Sequence, residues 1–122
     1  MNIALWIAQV LLALDFGIHG WEMASLTKTP LTGFTYITDI SPRSRRFIGI
    51  AEILATFGLI LPGLTGILTW LTPLAAVGLV IVMVGAIPFH LRRKEYANIA
   101  LNVILLALAV FVAYGRFVVL PL

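Results

Sequence analysis

Cysteine is absent from this chain. Without a thiol the chain itself carries no disulfide relay, no thiolate metal site and no iron–sulfur cluster. Charge is scarce as well. Only 11% of the 122 residues are charged, against 61% hydrophobic, and the mean hydropathy is +1.10. A soluble domain of this size could not cover so much apolar surface. No Ser-His-Asp arrangement, phosphate loop or nucleic-acid motif is present, so an ordinary soluble enzyme is not supported and nucleic acid is not expected as a partner. Low-complexity segments and internal repeats are also missing. The first apolar run lacks a basic leader, contains Asp15 and has no small-residue cleavage site, so it reads as a retained span rather than a signal peptide.

What the chain does have is long apolar runs. Spans are expected at about 2–21, 45–61, 66–87 and 96–119. Each approaches the roughly 20 residues that cross a bilayer as a helix. The expectation is an all-α fold: a single-domain, four-helix transmembrane bundle whose first partner is the lipid bilayer. Pro62-Gly63 is expected to end the second span, and Pro73 to lie in the first turns of the third. The first connection, residues 22–44, is the longest. Its Thr-Pro, Thr-Gly and Ser-Pro pairs are turn signals, and it is the expected lid or partner surface. Phe34 to Ile40 is expected against the membrane surface.

Seven of the eight basic residues fall in the first and third connections: Lys28, Arg43, Arg45, Arg46, Arg92, Arg93 and Lys94. Only Arg116 lies near the other end. Lys and Arg prefer the cytoplasmic side. Both termini are therefore expected on the outer face. The Arg92-Arg93-Lys94 run reads mainly as a topology and anionic-lipid signal.

A carboxylate within a span is costly and usually faces a bundle interior or a watery cavity. Glu52 is such a residue. Ile48, Gly49, Ala55, Thr56 and Leu59 share its face, while Ile50, Leu54, Phe57 and Leu61 lie opposite, as lipid-facing positions do. In the first span Asp15, His19 and Glu22 form one stripe. In the fourth, Asn98, Asn102 and Arg116 fall along one face. Asp15, Glu52 and Asn102 each lie seven residues from an inner-side charge, roughly 10 Å along a helix. Three spans thus carry polar groups to one level, and a polar pocket is expected in the cytoplasmic half of the bundle.

The candidate site residues follow from this. Glu52, His19 and Asp15 are the expected proton-handling groups, and His90, Asn98, Asn102 and Arg116 the expected pocket lining. Each has a plainer reading. Glu52 could hydrogen-bond Asn102 or His19 only to pin helices. His19 could sit at the wet interface. Asn98 and Asn102 could be interhelical glue, and Arg116 a snorkelling end residue. The spacing of His19, His90 and Glu52 matches no recognised metal motif, and no metal is expected.

The run F-I-G-I-A-E-I-L-A-T-F-G-L-I-L-P-G-L-T-G, then L-T-P-L-A-A-V-G-L-V-I-V-M, F-H-L-R-R-K-E and A-Y-G-R-F, resembles the DoxX-like family of small four-helix membrane proteins. The resemblance covers Arg45 to Phe117 well and the first span loosely. Family motifs fall on Glu52, Pro62, His90 and Arg116. Several members carry Gly-x-x-Lys after the first span; here the stretch reads G-I-H-G-W-E-M, with no Lys. The family name comes from a subunit of a thiosulfate:quinone oxidoreductase. The resemblance therefore implies a redox association, and the expected location is the bacterial plasma (inner) membrane.

The leading expectation is a redox-associated membrane component that holds a quinone or similar amphipathic molecule. Electrons would come from a membrane or cytoplasmic redox partner, because no cofactor motif is present. Whether the chain is itself an enzyme stays open, as does homo-oligomerisation. The alternatives are a small proton-coupled transporter and a non-enzymatic assembly or chaperone subunit. The strong charge bias argues for one fixed orientation and against a dual-topology exporter.

Overall fold

The computed structural model describes residues 1–26 and 35–122. Lys28, Phe34 and the Thr-Pro and Thr-Gly pairs of the first connection lie outside the described residues. The architecture is all-α. It comprises α1 (Asn2–Ala24), a 3-10 turn (Thr35–Asp39), α2 (Pro42–Thr65), α3 (Leu71–Arg92) and α4 (Tyr96–Tyr114), the last widening into a π-helical turn, Gly115–Val119. Four helices are long and apolar enough to cross a membrane. Each packs on the next, and α4 closes the ring against α1.

The start of α2 is set by Ser41 and Pro42. The Ser41 hydroxyl accepts the Ser44 amide at 3.4 Å, and Pro42 occupies the first turn, where its missing N–H costs nothing. The helix does not stop at Pro62-Gly63 as its sequence suggests. It runs through Pro62 to Thr65 and ends at Gly66, whose φ of +72° suits a glycine. The physical reason lies in α3. An interior proline leaves the carbonyl four residues earlier without its helical donor. That carbonyl belongs to Gly58, and the Thr72 hydroxyl donates to it at 2.9 Å. Residues 66–70 form the turn, so α3 starts at Leu71 rather than Gly66. Pro73 sits in its first turn.

Between helices in lipid, apolar burial supplies little drive. Close packing and interhelical hydrogen bonds do the work. Phe16, Leu12, Leu59, Leu79, Ala109 and Val112 fill the centre. Ile50, Leu54, Phe57 and Leu61 are exposed on the outside of α2, while Gly49, Glu52 and Leu59 are buried on its inner face. Two glycines bring α1 and α2 together. A β-carbon at Gly20 would lie 2.9 Å from the Gly49 carbonyl oxygen and 3.0 Å from the Glu52 β-carbon. Only the lack of side chains at both positions lets the backbones approach this closely.

The apolar run of the 3-10 turn between α1 and α2 packs into the bundle. Tyr36 and Ile37 are buried with Met23, and pack against Ile48 and Phe89. The turn lies as a strap over the end of the bundle where α1 finishes and α2 begins.

Candidate functional site

Close contact at Gly20 and Gly49 sets the first element of the site. It brings His19 of α1 onto Glu52 of α2, with Nδ1 and Oε2 2.6 Å apart. The other ring nitrogen lies 2.7 Å from the Tyr36 hydroxyl on the strap. His19 therefore bridges a helix carboxylate and a strap phenol. With an ionised Glu52 the imidazole N–H donates, because a carboxylate only accepts. Burial, together with the Glu52 and Asp15 charges, pushes the Tyr36 phenol above its ordinary 10.0. The phenol stays a neutral hydroxyl, able to donate or accept.

A second cluster clips the strap to the α3–α4 connection. Arg93 donates to Asp39 at 2.7 Å and to Glu95 at 2.9 Å. Glu95 also meets His90 Nδ1 at 2.9 Å. Burial opposes the charged form of Glu95. The hydrogen bonds from His90 and Arg93 outweigh it and hold the carboxyl below its ordinary value. The His90 ring stacks edge-on to Tyr36, with centroids 4.5 Å apart.

Between these clusters lies a cavity of about 410 Å³. Asp15, His19, Glu52, His90, Asn98 and Asn102 all line it, with Tyr36 at the strap. Apolar side chains of α1, α3 and α4, including Phe16, Met83, Phe89 and Leu105, complete the wall. No Lys or Arg is among the described lining residues. Glu52 and Asn102 are buried, and Glu52 Oε1 and Asn102 Nδ2 have no hydrogen-bond partner among the described residues. No cluster of three His, Cys, Asp or Glu residues able to hold a metal occurs among the described residues.

Arg116 does not belong to this lining. It is buried at the opposite end of the bundle. Its guanidinium donates to Gln9 Oε1 at 2.7 Å, to Asn2 Oδ1 at 2.9 Å and to the Leu120 carbonyl at 3.0 Å. Gln9 in turn donates to the Leu59 carbonyl at 2.7 Å. The periodicity that aligned Arg116 with Asn98 places it on the right face of α4. Five turns of helix then carry it to the far end. This cluster ties α1, α2 and the end of α4 together.

Reading the sequence missed Tyr36, Glu95 and Gln9. Tyr36 sits in a connection with no helical period to orient it. Gln9 did carry a signal: an amide in an apolar span needs partners, as a carboxylate does.

The profile of the DoxX-like family matches residues 7–112, so the chain belongs to that family. Neither a curated protein nor a solved structure matches it.

Proposed function

We propose that this DoxX-like membrane protein holds a quinone or a similar amphipathic molecule in the cavity, and that Glu52, His19 and Tyr36 exchange protons with it. The carrying observation is the imidazole of His19, held by both nitrogens between a carboxylate and a phenol on the wall of an apolar cavity. Such an arrangement stores and passes a proton with little movement. Asp15 adds a further acid to the same wall. Reduction of a quinone takes up protons as well as electrons. The chain would supply the proton route, and a membrane or cytoplasmic redox partner the electrons. The cavity lies toward the end of the bundle that carries most of the basic residues. That end would face the cytoplasm of a bacterial inner membrane, with both termini outside.

A proton-coupled transporter is the second reading. It is favoured by Asp15 and Glu52 sharing one cavity with His19. Proton flux measured in liposomes separates the two.

The deciding experiment is mass spectrometry of the molecule that co-purifies in mild detergent. A near-stoichiometric quinone, lost in Glu52→Gln while that variant stays folded, is the expected result. Bulk phospholipid alone would overturn the reading.

A further inference from the structure

Two residues of the cavity wall each carry a buried side-chain atom with no hydrogen-bond partner among the described residues. Glu52 Oε1 sits on α2, and Asn102 Nδ2 on α4. Both side chains are more than nine-tenths buried, at 1% and 7% exposure. Leaving a buried polar atom unpaired costs about 1–3 kcal/mol, more for a charged group. Such atoms invite an occupant that satisfies both.

Their chemistry specifies that occupant. The contact between His19 Nδ1 and Glu52 Oε2 occupies one carboxylate oxygen, whichever atom holds its proton. The remaining oxygen, Oε1, is then an acceptor and needs a donor. Asn102 Nδ2 is a donor and needs an acceptor. A hydroxyl both donates and accepts at a single atom. An anionic headgroup is disfavoured: among the described residues no Lys or Arg lines the cavity, and His90 is engaged by Glu95. Apart from these two and Asp15, His19, Tyr36, His90 and Asn98, the wall is apolar, with Phe16, Met83, Phe89 and Leu105 among its members.

We infer that the cavity is a site for an uncharged amphipath with a hydroxyl headgroup, an alcohol or a phenol. The hydroxyl hydrogen is given to Glu52 Oε1, and the hydroxyl oxygen takes a hydrogen from Asn102 Nδ2. The apolar body lies along the α3 and α4 wall. This rests on the proposed amphipath-binding role of the same cavity and adds the headgroup that the wall selects.

The test is calorimetric titration of the full chain in mild detergent with three probes. Para-heptylphenol donates and accepts, its methyl ether only accepts, and para-heptylphenyl trimethylammonium brings a cation. The phenol is expected to bind about tenfold or more tighter than the ether, the value of one hydrogen bond to a buried acceptor that is otherwise left unpaired. In Glu52→Gln that preference should shrink to about threefold or less, because the new amide can donate to the ether oxygen. In Asn102→Leu both probes should weaken together by about tenfold, since each still offers an oxygen. Equal binding of phenol and ether to the unaltered chain overturns the inference without need of a variant. So does tighter binding of the trimethylammonium probe, which would assign the cavity to a cation. If quinone co-purifies but phenol and ether bind alike, this inference falls and the amphipath-binding role stands. If no probe binds and only bulk phospholipid co-purifies, both fall.

Discussion

His19 Nδ1 and Glu52 Oε2 meet at 2.6 Å across the α1–α2 contact, where Glu52 is 1% exposed. Sequence separates them by 33 residues. The glycines at 20 and 49 bring them together. Removing the imidazole strands the carboxylate in an apolar wall. Removing the carboxylate's charge leaves the ring with a weaker partner. A double-mutant cycle of His19→Leu and Glu52→Gln, followed by unfolding in mild detergent, should show a coupling of about 1–3 kcal/mol. Additive effects would mean the two groups do not support each other.

Gly49→Ala tests the close approach itself. A β-carbon there would meet the Gly20 carbonyl oxygen at 2.6 Å and the Ala24 backbone nitrogen closer still. Backbone cannot swing aside as a flexible side chain can. The substitution should cost about 1–3 kcal/mol or more by overpacking. It should also loosen the His19–Glu52 contact, visible as a shift of the His19 ring resonances. By contrast, Gly78→Ala, which meets nothing within 4 Å, should be near neutral. Equal effects of the two would remove the special role given to the α1–α2 approach.

Gln9→Leu probes the opposite end. Gln9 accepts from Arg116 and donates to the Leu59 carbonyl. Its loss leaves a buried guanidinium with fewer acceptors and should cost about 1–3 kcal/mol. Because this cluster lies away from the cavity, binding of para-heptylphenol should be unchanged in any fraction that stays folded. A selective loss of ligand binding would connect the two ends.

The strap should respond to acid. Glu95 is held below its ordinary 4.5 by His90 and Arg93, against the effect of burial. A depressed carboxylate contributes fully above the unfolded value of 4.5. That contribution is lost as pH falls through the lower folded value. Arg93 stays charged throughout, since its hydrogen bonds to Glu95 and Asp39 raise an already high value. Hydrogen exchange at the amides of Tyr36 and Ile37 should therefore accelerate as pH drops below about 4.5, relative to the core of α3. Glu95→Gln should flatten that dependence. Exchange that tracks the core at every pH would detach Glu95 from the strap.

Apolar run length and the near absence of charge determined the four spans and the all-α class, because crossing lipid forces every backbone polar group into local helical pairing. Helical period also determined which face of each span carried its polar groups. Glu52, Asp15, His19, Asn98 and Asn102 were all legible that way. The tertiary structure decided what period cannot carry. Thr72 relieves Pro62 from another helix, so α2 runs on where its own sequence says stop. Tyr36 reaches His19 from a connection with no period at all. Arg116 shares an angle with Asn98 but not a height, and so ends with Gln9 rather than in the cavity. In each case the deciding contact joins residues far apart in sequence, and such contacts leave no mark on the local pattern of either partner.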